Sequence, residues 1–356
     1  MEQQHRELLH TLLMTLMREQ GSDLHLSPGR KPFIRIHNEL IPLSTMNTLE
    51  PMDTIGVLTA MVGPDRVKQL GERQELDFSY DFPEGHMRLR GNAFVRQEVV
   101  SIALRSIQKV KDFNELGLPA ELLMEFTRKQ QGFFLVVGPV GVGKSTTMSA
   151  MVDVINRERK EHIVTIEHPI EHIFEEKNSI IDQREVGIDT ESFQSALGAV
   201  FRQDADVIMI GEMRTPETIA TAVTAAETGH LVFSTLHTNN ASQTIDRIID
   251  SFPGDQQSQI RSQLANSLLG IFSQRLVPSL HGGLVPAYEF MRNTNATANL
   301  IREGRTHEIE TVIETGYEQG MMSMNRSLAE LVRRGDVAVE EAMRYSLNPR
   351  GLEQLL

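Results

Sequence analysis

No cysteine and no tryptophan occur among the 356 residues. The missing thiol excludes a disulfide framework, a thiolate zinc site and a catalytic cysteine. Positive charge is in deficit: 35 Lys and Arg stand against 48 Asp and Glu, a formal net charge of -13. That balance argues against a chain that coats nucleic acid, although one basic groove stays open as an alternative. No apolar run approaches the ~18 residues that cross a membrane. The N-terminal residues carry acids and histidines ahead of their apolar positions and show no small-residue cleavage site, so no secretory signal is expected. A cytoplasmic protein of roughly two domains, at about 150 residues each, is the default expectation.

What is present falls into two patterns. Leu9, Leu12, Leu13, Leu16 and Met17 recur at helical spacing, with Gly21 where a helix would stop. Leu24 and Leu26, then Phe33, Ile34 and Ile36, read as strands, with a turn at Asn38-Glu39 leading to Leu40 and Ile41. Pro51 to Val62 suits a short helix, and Phe78–Phe82, Met87–Phe94 and Val99–Ile107 suit three more strands. This is an α+β domain over 1–107. A polar linker follows over 108–118, ahead of Pro119. Beyond it, apolar runs at Phe133–Val137, Ile163–Ile166, Val207–Ile210 and Leu231–Leu236 alternate with helical stretches. Continuous apolar runs mean strands buried on both faces, as in a parallel sheet, so an α/β core is expected over 119–277. After about Val277 the pattern turns mostly helical, giving a C-terminal region over 278–356 with a Leu328, Leu331, Val332 stripe.

Gly138-Pro139-Val140-Gly141-Val142-Gly143-Lys144-Ser145 fits the G-x-x-x-x-G-K-[ST] phosphate loop. Its glycines let backbone N–H groups turn inward around phosphates, and the helix that starts there adds its positive end. Gly138, Gly141, Gly143, Lys144, Ser145 and Thr146 are the expected ATP-binding residues, with Lys144 on the β- and γ-phosphates and Ser145 on Mg²⁺. The alternative is a glycine turn with an exposed lysine, but a buried strand before the loop and a helix after it favour the phosphate site. Glu167 and Glu212 each follow an apolar strand, and strand C-terminal ends converge on the ligand crevice of open α/β sheets. Most phosphate-loop ATPases carry Asp where Gly211 stands, so Glu212 is expected to reach Mg²⁺ through a water. His237 ends another strand and reads as a γ-phosphate sensor, with Thr235 and Thr238 as polar neighbours. Alone, each acid could be a solvated strand end and the histidine structural. His168 and His172 are four apart, but Pro169 argues against one helical face and a metal pair.

These residues resemble the secretion-type motor ATPases and, within them, the PilT-type retraction ATPases of type IV pili. Gly21-Ser22-Asp23-Leu24-His25-Leu26 resembles an N-terminal motif of that family, and Thr165-Ile166-Glu167-His168-Pro169-Ile170-Glu171 its acidic box. Gln183-Arg184-Glu185-Val186-Gly187 is similar to a further run, and Gly211-Glu212-Met213-Arg214 to its unusual Walker B. Ala225 to His230 and Ser234 to Thr238 resemble its histidine box, and Asn299-Leu300-Ile301-Arg302-Glu303 a stretch of the retraction branch. The resemblance implies a PAS-like N-terminal domain, a RecA-like ATPase domain and a homohexameric ring. It implies that Glu167 polarises the attacking water, that Glu212 is the Walker B acid, and that Arg88, Arg90 and Arg105 reach the nucleotide. Without it those arginines read as solvated strand residues. It further implies twitching motility driven through an inner-membrane platform protein, at the cytoplasmic side of that membrane, with other pilus motor ATPases as further partners. An auxiliary, PilU-like retraction ATPase is the nearest alternative. A RecA-like nucleic-acid motor and a non-hydrolysing nucleotide-dependent regulator are more distant ones. Assembly and type II secretion relatives typically add a four-cysteine zinc module and another N-terminal domain, for which 356 cysteine-free residues are expected to leave no room.

The chain departs from the family pattern at four positions: Val140 and Val142, where Thr and Ser are usual, and His168 and Thr215, where Asp is usual. An imidazole at 168 in place of the usual carboxylate puts a group that titrates near neutrality beside Glu167. The His168→Asp variant is therefore expected to flatten the ATPase pH profile between about pH 6 and 8. An unchanged profile would remove His168 from the site's acid–base chemistry.

Overall fold

In the computed structural model, which describes residues 2–36, 39–85 and 87–356, the chain divides into two units, Met1–Gln108 and Lys109–Leu356. The first opens with helix α1 (Glu2–Arg18), whose Leu9, Leu12, Leu13 and Leu16 are buried. Met17 is 38% exposed and lies outside this stripe. The helix stops before Gly21: Gln20 takes the positive φ of 52°. Gly21 closes the helix end as expected, its N–H donating to the Leu16 carbonyl at 2.8 Å, and it packs closely, since a Cβ there would stand 2.7 Å from Leu16 Cδ1.

Strands β1 (Asp23–Leu26), β2 (Phe33–Ile36) and β3 (Glu39–Pro42) come next, then helices α2 (Pro51–Val62) and α3 (Pro64–Arg73). Strands β4 (Glu75–Phe82), β5 (Met87–Arg96) and β6 (Val99–Lys109) complete the unit. They pair antiparallel in the order β3-β2-β1-β6-β5-β4. The apolar face of α1, with Val57 and Leu58 of α2, covers Leu24, Ile34, Phe78, Leu89 and Ile102 of that sheet. The turn expected at Asn38 lies outside the described residues.

The second unit begins with α4 (Ala120–Thr127), β7 (Gly132–Val137), α5 (Lys144–Glu158), β8 (His162–Glu167), β9 (His172–Ile173) and β10 (Ile180–Glu185). It continues through α6 (Phe193–Val200), β11 (Val207–Ile210), α7 (Pro216–Glu227), β12 (Leu231–Leu236), α8 (Ala241–Asp250) and α9 (Gly254–Ser267). Strands β13 (Leu268–Pro278) and β14 (Leu284–Arg292) follow, then short helices α10 (Asn295–Glu303), α11 (Ile309–Thr315), α12 (Met324–Arg333), α13 (Val339–Tyr345) and α14 (Pro349–Glu353). The sheet order is β10-β8-β11-β12-β7-β13-β14, parallel throughout except for β14.

Alternation along β7 explains its unbroken apolar sequence. Phe133, Leu135 and Val137 enter one core with α6 to α9, while Phe134 and Val136 enter another with α4 and α5. Both faces are covered, so polar residues have no face to occupy. Among the described residues no helix is long and apolar enough to cross a membrane.

The region after Val277 is not helical from its start. β14 pairs with β13 over nine positions, Gly270↔Arg292 to Pro278↔Leu284. The connection holds Gly282 and Gly283, both at positive φ (87° and 73°), as a tight hairpin requires. α12 then packs Leu328 and Leu331 against Val277 and Ala287 of this hairpin.

Phe134 is fully buried among Phe126, Phe233 and Phe290, at ring-centroid distances of 4.9, 6.1 and 6.3 Å. Phe134→Ala is expected to destabilise the second unit by about 3–5 kcal/mol, read as a lowered urea midpoint. A midpoint unchanged from the parent would show that this ring is not part of the cooperative core.

Candidate functional site

Register sets the site. Val137, the last residue of β7, is level with Leu236 of β12 on one side and Ser273 of β13 on the other. The phosphate loop therefore leaves the sheet beside the end of β12 and along the middle of β13, which runs on to Pro278. Gly138, Gly141 and Gly143 all take positive φ, at 147°, 80° and 85°. Gly138 is also crowded, since a Cβ would meet the Gln274 carbonyl oxygen at 2.5 Å. α5 starts at Lys144, directly after the left-handed Gly143.

The Lys144 ammonium donates to the Gly138 and Pro139 carbonyl oxygens at 2.9 and 2.8 Å and lies 3.2 Å from His237 Nδ1. An ammonium only donates, so Nδ1 is the acceptor in this contact, and the other ring nitrogen is Nε2. That nitrogen is 3.5 Å from Glu212 Oε2. Burial draws the Lys144 pKa down to about 8, against the opposing pull of Glu212 and Glu171.

Glu167 ends β8 and is 3% exposed. Its Oε1 accepts from Thr165 Oγ1 at 2.7 Å and from Gln183 Nε2 at 3.3 Å. Burial nevertheless raises its pKa to about 7, only partly offset by those donors and the Glu171 backbone N–H. Glu212 pairs with Arg214 Nη2 at 2.5 Å. Between Glu167 and Glu212 the two strands run close: a Cβ on Gly211 would stand 3.4 Å from Glu167 Cα and from the Ile166 carbonyl oxygen.

Gly141, Gly143, Lys144, Ser145, Glu167, Glu212 and His237 thus line one cleft of about 340 Å³, with Val140, His168, Glu171, Arg214 and Thr235. Gly138 contributes through its carbonyl. Thr146 is set back, its Oγ1 3.3 Å from His172 Nε2. Thr235 Oγ1 donates to the Gly211 carbonyl at 2.6 Å, and the Thr238 hydroxyl faces Thr244 at 2.6 Å, so Thr238 serves α8 rather than the cleft. Thr215 caps α7, accepting from the Thr218 N–H at 3.3 Å.

Arg88, Arg90 and Arg105 belong to the first unit, on β5 and β6, where Arg90 pairs across the ladder with Arg105. Arg88 Nε lies 3.6 Å from Asp81, and Arg105 Nε donates to Asp23 Oδ1 at 2.9 Å. Burial acts to raise the Asp23 carboxyl, but hydrogen bonds from Ser22 and Arg105 outweigh it and hold the pKa below the usual range.

Four neighbours of the site went unread in the sequence: Thr165 and Gln183 on Glu167, and Gln274 and Arg275 behind the phosphate loop. Thr165 and Gln183 lie inside motifs already quoted, but nothing in their spacing announces a hydrogen bond. Among the described residues no group of three or more His, Asp or Glu forms a metal cluster.

The chain is 41% identical over 334 residues to the type IV pilus retraction ATPase PilT of Pseudomonas aeruginosa, covering 93% of this chain and 96% of that protein. It is 36% identical over 347 residues to the type IV pilus ATPase PilU of the same organism, covering 97% of this chain and 90% of that one. A crystal structure of the pilus retraction motor PilT with bound ADP matches with a TM-score of 0.89 at 42% identity, covering 96% of this chain and 98% of that chain. The model of the Type II/IV secretion system protein family matches residues 2–344, and the chain belongs to that family.

Proposed function

We propose that this chain is an ATP-hydrolysing motor subunit that powers retraction of type IV pili, and with it twitching motility. The observation that carries the reading is the convergence of Lys144, Glu167, Glu212 and His237 on one cleft at the strand ends of a parallel sheet. The similarity to PilT supports the pilus as the object of the work. Higher identity to PilT than to PilU favours the main motor over an auxiliary one. The deficit of positive charge speaks against a nucleic-acid motor, and the presence of both carboxylates against a regulator that does not hydrolyse.

In this reading the backbone N–H groups of Gly141 to Ser145 hold the phosphates, and Lys144 exchanges its carbonyl partners for phosphate oxygens. Glu167 accepts a proton from the attacking water, with Thr165 and Gln183 fixing its carboxylate. Ser145 and Glu212 offer hard oxygen donors of the kind Mg²⁺ prefers, Glu212 through a water. Magnesium, when bound there, neutralises charge developing on the phosphates. His237, between Lys144 and Glu212, registers whether the γ-phosphate is present. Arg88, Arg90 and Arg105 neutralise phosphate charge in the assembled motor, which we take to be a homohexamer of PAS-like and RecA-like domains. It works at the cytoplasmic side of the inner membrane on the pilus platform protein, beside any other pilus motor ATPases.

A carboxyl with a pKa near 7 is protonated below neutrality and unable to accept a proton. Turnover is therefore expected to rise with pH through about 7, a step that disappears in Glu167→Gln. That variant should lose about 10²–10⁴-fold in kcat while binding ADP normally. Equal turnover in Glu167→Gln and the parent would remove Glu167 as the base.

Deleting the gene should leave pili present and more numerous but unable to retract, a defect that Lys144→Ala does not complement. Pili that vanish on deletion would assign an assembly role instead. Turnover stimulated by single-stranded DNA would point to the nucleic-acid reading.

A further inference from the structure

Arg275 is 6% exposed, on β13 directly behind the phosphate loop. A buried guanidinium normally finds a carboxylate. Here Glu289 on β14 acts on it through charge, while, among the described residues, the guanidinium's hydrogen bonds go to neutral oxygens. Nη1 donates to the Gln274 carbonyl at 2.9 Å, and Nη2 to the Asn239 carbonyl at 3.0 Å and to Asn239 Oδ1 at 3.1 Å. Asn239 follows His237 by two residues in the loop between β12 and α8. Gln274 holds the other side: its Nε2 donates to the Val142 carbonyl at 2.8 Å, and its Oε1 accepts from Thr147 Oγ1 at 2.7 Å. One dipeptide thus grips the phosphate loop, the first turn of α5 and the loop that carries His237.

Glu289 of β14 adds a second hold on that loop. It is 6% exposed, and its Oε1 accepts from the Ala241 N–H, the first residue of α8, at 2.8 Å. A carboxylate at a helix N-terminus satisfies an orphan donor and the helix dipole together. The loop from His237 to Ala241 is therefore held at its middle, Asn239, and at its last residue, Ala241, by the β13–β14 hairpin, which itself lies outside the cleft.

We propose that Arg275 is a positioning residue for hydrolysis, holding the loop after β12 so that His237 stays in register with Lys144 and Glu212. It does not line the cleft; it acts through Asn239 on His237. Its charge also bears on the cleft from behind, being one of the groups that draw Lys144 down. Lysine cannot replace it, because a point charge reaches one of these acceptors and the planar fork reaches the Gln274 carbonyl and Asn239 at once. This inference rests on the hydrolytic reading given above.

Arg275→Lys keeps the charge and removes the fork. Loss of a hydrogen bond from a charged group predicts a fall in kcat of about tenfold or more, with the Kd for ADP within about threefold of the parent. In a double-mutant cycle, Asn239→Ala should lower kcat in the parent and add little in the Arg275→Lys background. An unchanged kcat in Arg275→Lys, or an ADP affinity that falls in parallel with kcat, would overturn the proposal. If Arg275→Lys does not fold, Asn239→Ala alone carries the test, and an unchanged kcat there overturns it. Should the parent show no turnover above a Lys144→Ala control, the hydrolytic reading fails by itself. Amide exchange in residues 237–241 with ADP bound then decides the clamp: faster exchange in Arg275→Lys upholds it, and equal exchange overturns it.

Discussion

Hydrogen-bond register in the parallel sheet is the constraint on which the site depends. Val137 is level with Leu236 and Ser273, and Ile210 with Ile166 and Ser234. The residues that follow therefore lie side by side: Glu167, Gly211-Glu212, His237, Gly138 and, within the continuing β13, Gln274. A slip of one residue in any pair would move that strand's apolar set to the wrong core and its terminal side chain out of the cleft. Packing on both faces makes such a slip costly, because neither face is solvated. The chemistry is held in place by hydrophobic burial some distance away from it.

Desolvation then prepares the groups that arrive there. The same burial acts in opposite directions on an acid and a base: it raises Glu167 to about 7 and lowers Lys144 to about 8. Both move toward their neutral forms near physiological pH, so each becomes sensitive to one added charge. A phosphate beside Lys144 strengthens its preference for the ammonium form. The Thr165 and Gln183 donors limit the rise of Glu167, keeping it within reach of ionisation. Neighbours outside the direct contacts thus set how readily the site changes protonation.

The strands of the α/β core were legible because being buried on both faces writes itself as a continuous apolar run, as in Phe133–Val137. The phosphate loop was legible because only glycine tolerates the backbone at 138, 141 and 143. β13 was harder. Its Ser273, Gln274 and Arg275 are buried yet polar, so the strand breaks the apolar pattern where it meets the phosphate loop. β14 shows no clean alternation, and only Gly282-Gly283 signals the hairpin. In the first unit, Gly21 does mark the stop of α1, its N–H donating to the Leu16 carbonyl at 2.8 Å, but the positive φ expected of such a glycine falls on Gln20. Long-range hydrogen bonds such as Gln274 to Thr147, 127 residues apart, have no local signature at all.

The departures from the family pattern acquire a physical meaning from where they sit. Val140 is 83% exposed at the tip of the phosphate loop, where backbone rather than side chain meets a ligand. Val142 offers its carbonyl to Gln274 while its side chain packs inward. Thr215 takes the cap of α7, a role that threonine and aspartate share. At these positions the chain changes side chains that the site does not need for charge. His168 is different: it lines the cleft one residue after Glu167, in a loop with Pro169 and Glu171. A carboxylate there would place a second negative charge beside a buried one and push Glu167 further up, so His168→Asp should move the pH step upward rather than flatten it, which corrects the expectation drawn from the imidazole alone. An imidazole in its place spares Glu167 that repulsion. The exchange at 168 is thus the one departure that bears directly on how easily the candidate base ionises.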